Sequence, residues 1–202
     1  MKRFAKIIST ILHPCFVPIY AIALLMVTGT VYHYYPLRFQ LYLLWVVTLY
    51  SAILPMLTMA LLKRLHRLRG RELPRRYHPA IMMVVGIICY ALYAFTMMKA
   101  PSLIIFRKIA VAGVMCNIYC LVMLCFTRRI STHLTAMGAV TAFFTMLNIA
   151  GEMALFWVLL GTLLPSGLLA TARLYLGLHR SLQLLTAYVG GFIVSIIALL
   201  YI

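Results

Sequence analysis

The sequence predicts an all-α protein, a polytopic bundle of six to seven transmembrane helices, and three observations carry that prediction. Apolar residues make up 65% of the chain and charged residues only 10%, where a soluble domain holds about 45–50% and 25%. The mean hydropathy is +1.05. Apolar runs of about 20 residues, the length that crosses a bilayer as a helix, recur from end to end. This composition excludes a water-soluble fold, a disordered chain, a disulfide-stapled secreted domain and a multi-domain enzyme. Residues 1–202 read as one integral-membrane domain with no internal repeat or low-complexity tract.

The runs fall at 7–29, 39–62, 79–99, 103–126, 133–150, 152–172 and 182–202. Met1 to Lys6 leads directly into the first run without an A-x-A site, so no cleavable signal is expected. Pro14 and Pro18 interrupt that run and predict a kink, since proline cannot donate to the helical ladder. The fifth and sixth runs meet at Asn148-Ile149-Ala150-Gly151-Glu152; if the chain does not turn there, the count falls to six. On the last run Ala187, Gly191 and Ser195 form a stripe of small residues suited to close helix packing. The five cysteines all lie inside runs. Cys116 and Cys120 share a helix face, but no His or acid joins them, so they read as packing residues and no metal or cofactor is expected.

Charge sharpens the topology. The formal net charge is +16, from 18 Lys and Arg against two acids, Glu72 and Glu152. Embedded in so apolar a chain, this excess points to anionic lipid headgroups or a phosphorylated lipid and away from nucleic acid. Two acids leave little for a carboxylate pair or a Mg²⁺ cage. Seven spans put the N-terminus and the loops at 63–78, 127–132 and 173–181 on one side. Only Arg38, Lys99, Arg107 and Lys108 then fall opposite, so the positive-inside rule makes the crowded side cytoplasmic.

Three loops on the basic side set polar groups beside helix ends. Residues 67–79 carry Arg67, Arg69, Arg71, Arg75, Arg76 and His78, a pattern that also suits a simple polybasic anchor. In Arg128-Arg129-Ile130-Ser131-Thr132-His133, Ser131 is a natural N-cap, and a helix N-terminus flanked by arginines attracts phosphate. His133 stands in the first turn of that helix, placed to hand over a proton. In the third loop Arg173 ends an apolar stretch, His179 follows beyond a Gly that permits a turn, and Ser181 is a candidate cap of the last span. Two imidazoles and several guanidiniums on one membrane face suit phosphoryl transfer through histidine without a metal.

These residues resemble the type 2 phosphatidic acid phosphatase superfamily of integral-membrane lipid phosphatases, whose signature reads K-x6-R-P, P-S-G-H and S-R-x5-H-x3-D. Arg173 and His179 have the R-x5-H spacing, and the Gly-containing helix to Gly191 is similar to the family's continuation. Ser131-Thr132-His133 stands for S-G-H, and Arg69 and Arg76 have the first motif's spacing with the proline displaced to Pro79. The likeness covers residues 67–193 and is greatest to a divergent bacterial branch in which Arg or Lys, here Arg129, precedes I-S-x-H. It implies a phosphatase-type core in a bacterial inner membrane and a metal-independent lipid phosphatase or phosphotransferase. It implies His179 as nucleophile, His133 as general acid, and Arg173, Arg129, Arg76, Arg69 and Ser131 as the phosphate cradle. The family's Asp is Gln183, which can still orient the His179 ring but cannot stabilise an imidazolium by charge; its Ser before the Arg is Ala172, and the Pro and Gly of the second motif are absent. Those departures motivate an alternative, a phosphatase-like protein without turnover that binds anionic lipid or scaffolds a membrane complex. An unrelated carrier is a third reading, for which Asn148 and Glu152 give the only hint.

Overall fold

The computed structural model describes residues 2–28, 31–68, 78–98, 103–127, 130–151 and 156–201. The described residues are helical, with no strand among them. In chain order the helices are α1 (Lys2–Ile11), α2 (Val17–Val27), α3 (Leu37–Thr48), α4 (Leu54–Leu68), α5 (His78–Met97), α6 (Ile104–Thr127), α7 (Thr132–Ile149), α8 (Phe156–Tyr175) and α9 (Ser181–Tyr201). A short 3-10 turn, Val31–Tyr34, precedes α3, and a π-helical stretch, Leu49–Ile53, joins α3 to α4 as one rod.

Five of these elements are long and apolar enough to cross a membrane: Leu37–Leu65, His78–Met97, Ile104–Phe126, Phe156–Tyr175 and Ser181–Tyr201. Large apolar side chains such as Trp45, Phe95, Phe126 and Trp157 stand on their outer faces, as expected where lipid rather than water is the solvent. The other two expected spans are not among these five. The first is two helices: α1 stops at Ile11, a turn holds Pro14, and α2 restarts with Pro18 in its first turn, where a missing N–H costs nothing. The eleven residues of α2 are too few to cross alone. The fifth is α7, which sits inside the bundle against α9, α8, α6 and α2. Its Thr135 and Thr141 are buried among neighbouring helices, so it needs less apolar character than a lipid-facing span.

The chain does turn between the fifth and sixth runs. Helix α7 ends at Ile149 and Gly151 adopts φ +100, a conformation that suits glycine. Lys108 on α6 donates to the Leu199 carbonyl (2.8 Å), so the start of α6 and the end of α9 share one end of the bundle. The N-terminal ends of α5, α7 and α9 gather at the other.

The small-residue stripe of α9 packs as its spacing predicts. Ala187 and Ser195 are fully buried, and Cys116 Sγ lies 3.2 Å from Ser195 Oγ. Cys120 Sγ donates to Thr135 Oγ1 (3.4 Å), and all five cysteines are free thiols. The α7–α9 approach is so close that a Cβ on Gly138 would lie 2.2 Å from the Tyr188 carbonyl oxygen, and one on Gly191 2.3 Å from that of Thr135. Both obstacles are backbone and cannot swing aside. Gly138→Ala is therefore expected to destabilise the fold by about 1–3 kcal/mol, whereas Gly161→Ala, with open space around it, is neutral or slightly stabilising. Unfolding midpoints in detergent check this, and equal midpoints for the two variants refute the close-packing account.

Candidate functional site

Local chemistry at two helix ends builds the site. At the start of α7, Ser131 is extended (φ −93, ψ 95), and its Oγ accepts the Leu134 N–H at 3.5 Å. This N-cap, expected from the sequence, also buries Ser131 completely and sets His133 in the first helical turn. At the end of α8, Gly177 takes φ +65. The Leu178 N–H donates to the Arg173 carbonyl (3.3 Å) and the Gly177 N–H to that of Leu174 (2.9 Å). This is a Schellman closure; it folds the chain back over the helix end, with Arg173 inside the last turn and His179 just beyond.

The two ends meet. Arg173 Nη2 donates to His133 Nδ1 at 2.5 Å. Because a guanidinium only donates, Nδ1 must be unprotonated and His133 neutral in this arrangement. His133 also hydrogen-bonds the Ser9 backbone, so α1 closes over the pair, and it lies close enough to His179 to feel its charge. Arg173 Nε is buried without a hydrogen-bond partner. Glu72 and Glu152 lie outside the described residues, so among those residues no acidic side chain compensates Arg173. A half-buried guanidinium with an unspent N–H calls for an anion.

A third imidazole belongs to this cluster. His13, in the turn between α1 and α2, packs edge-on to His133 with ring centroids 5.2 Å apart. Burial, and then the charge of Arg173, hold its pKa below the ordinary 6.5. Sequence reasoning treats His13-Pro14 only as part of a kink. The available signal is topological, since the predicted first run begins at residue 7 on the basic side and His13 lies in the part of it nearer the other histidines.

Beside the cluster lies an apolar cavity of about 560 Å³. His78, Ile130, Thr132 and His179 wall its outer end, while Gly86, Tyr90, Asn117 and Phe143 lie deeper. His78, Thr132 and His179, at the start of α5, the start of α7 and just beyond α8, therefore come together at one end of the bundle. Not every expected residue joins the site. The Gln183 side chain is spent on the Arg180 amide (Oε1 accepting at 3.1 Å), a helix-capping contact. Ser181 is the first residue of α9 and Arg180 holds the cap position, its carbonyl accepting from Leu184. Arg69, Arg76 and Arg129 lie outside the described residues. Among the described residues no group of three His, Cys, Asp or Glu converges to hold a metal ion. Compared with protein-family models, curated proteins and solved structures, the chain matches none.

Proposed function

We propose that the protein is a membrane lipid-phosphate phosphatase or phosphotransferase, acting on a phosphomonoester or pyrophosphate lipid through a phosphohistidine. The observation that carries this reading is Arg173. Its guanidinium is half-buried without a carboxylate among the described residues, keeps its buried Nε–H unspent, and stands between His133 and the loop of His179, next to an apolar cavity. A phosphate monoester supplies the missing anion and its hydrocarbon tail suits the cavity. In this reading the phosphate takes over the Arg173 donor now held by His133, and its charge favours protonation of that imidazole. His179 attacks phosphorus, the bond to the lipid oxygen breaks, and that oxygen takes the proton of His133. Water, or an acceptor alcohol in a transferase, then removes the phosphoryl group from His179. Arg69, Arg76 and Arg129 complete the cradle. The bundle is read as phosphatase-like with seven crossings, α1–α2 and α7 supplying two of them, in a bacterial inner membrane with a cytoplasmic N-terminus and anionic lipid around its basic end.

Phosphate release from a panel of lipid phosphates, compared between the native chain and His179→Ala, tests the reading. Loss of at least about 10³-fold is expected for a missing nucleophile. Equal release by the two chains refutes it. A second reading, an anion-binding homologue without turnover, is favoured by Gln183, whose amide replaces a carboxylate and already caps α9. Protection from thermal unfolding by vanadate, together with absent release, marks that outcome.

A further inference from the structure

Hydroxyl side chains inside membrane helices commonly satisfy themselves on the carbonyl three or four residues earlier. Thr48, Thr58, Thr96, Thr141, Thr162 and Ser166 all do so here. Ser51 does not. It is 3% exposed, and its Oγ has no hydrogen-bond partner. Four residues on, Pro55 has no N–H for the Ser51 carbonyl, and the backbone widens into the π-helical stretch Leu49–Ile53, where Leu54 N–H reaches back to Leu49. Such π bulges recur at functional sites in helices.

Ser51 and Pro55 both belong to the wall of the cavity beside His179. Tyr50 stacks on Tyr93 with ring centroids 5.9 Å apart, which sets this stretch against the far part of α5. At 1.5 Å per residue that level is roughly 22 Å of helix rise beyond His78. About midway, roughly 12 Å of helix rise beyond His78, lies Asn117, whose Nδ2 donates to the Gly113 carbonyl (2.8 Å) and whose Oδ1 packs over Gly86. A Cβ on Gly86 would lie 2.6 Å from that oxygen, so glycine is what leaves it room. The cavity thus joins imidazoles at its outer end, a largely apolar middle and the Ser51 hydroxyl at its inner end.

We propose that this cavity binds a long hydrocarbon chain carrying an oxygen, a hydroxyl above all, which meets Ser51 at the inner end while the outer end lies by His78 and His179. An unsubstituted chain covers the same apolar wall but brings the Ser51 hydroxyl no hydrogen-bond partner. Selection is therefore for the oxygenated chain. The inference concerns the chain alone and does not rest on phosphate chemistry at the histidines.

The test uses the full chain in detergent and the displacement of a fluorescent fatty alcohol. The competitors are a long alkane and the primary alcohol of the same length. The alcohol is expected to bind about tenfold tighter, one net hydrogen bond. Ser51→Ala should erase that preference while leaving the alkane bound as before, and Ser51→Cys should keep only part of it. Equal binding of alkane and alcohol to the native chain overturns the proposal, as does a preference that survives in Ser51→Ala. Neither competitor carries phosphate, so absent phosphate release leaves this result intact, and loss of the alcohol preference leaves the phosphatase reading intact.

Discussion

Arg173→Gln is expected to lower phosphate release by about 10²–10³-fold, the range seen when one charge-stabilising donor is removed from a reaction site. The substitution separates charge from folding. A glutamine amide can still donate to His133 Nδ1, so the contact between the α8 end and the α7 start has a replacement, while the guanidinium proposed to hold the phosphate is gone. Arg173→Lys should fall between, because an ammonium keeps the charge but not the planar fork. His13 provides an independent readout. Its pKa is held low first by burial and then by Arg173. A histidine kept neutral in the fold takes up protons on unfolding, so stability falls as pH drops below the unfolded value near 6.5. In Arg173→Gln that acid sensitivity should shrink without vanishing, since burial remains. Phosphate release and vanadate protection test the first claim, and unfolding midpoints across pH test the second. Full release by Arg173→Gln would remove Arg173 from the chemistry.

The sequence made the helices legible wherever apolar residues face lipid, because hydropathy reports lipid contact directly. It was less informative at α7, whose Thr135 and Thr141 are buried inside the bundle and donate to the carbonyls of Ser131 and Met137 four residues earlier, and at the first run, where Pro14 and Pro18 leave two short helices. The candidate site was legible where one residue governs local geometry. Ser131 announces a cap, Gly177 a chain reversal, and the spacing of Arg173 and His179 follows from that reversal. His13 was not legible, because its role depends on α1 folding back over a helix more than a hundred positions later, which no local pattern encodes. Ser51 was hidden for a different reason. A serine in an apolar run reads as self-satisfied, and only Pro55 four residues on signals that the backbone there departs from the α-helix.

Gln183→Asp offers the converse test, a gain. In the proposed reaction His179 attacks phosphorus and its ring becomes cationic, and a carboxylate at position 183, released from the Arg180 amide and turned to the ring, would stabilise that charge where an amide cannot. In serine proteases the carboxylate-to-amide change in the same supporting role costs about 10⁴ in rate. A rise of at least tenfold in release is therefore expected from Gln183→Asp, with about 10⁴ as its ceiling. The local structure tolerates the change. Position 183 lies in the first turn of α9, where a negative charge is favourable to the helix dipole. The loss of its contact with the Arg180 amide, 3.1 Å in the native chain, costs at most a capping interaction. The double variant His179→Ala, Gln183→Asp should show no gain, since the carboxylate acts only through the imidazole. A gain that persists without His179 would mean that the introduced carboxylate promotes hydrolysis by another route, and no gain with His179 present would confine Gln183 to capping α9.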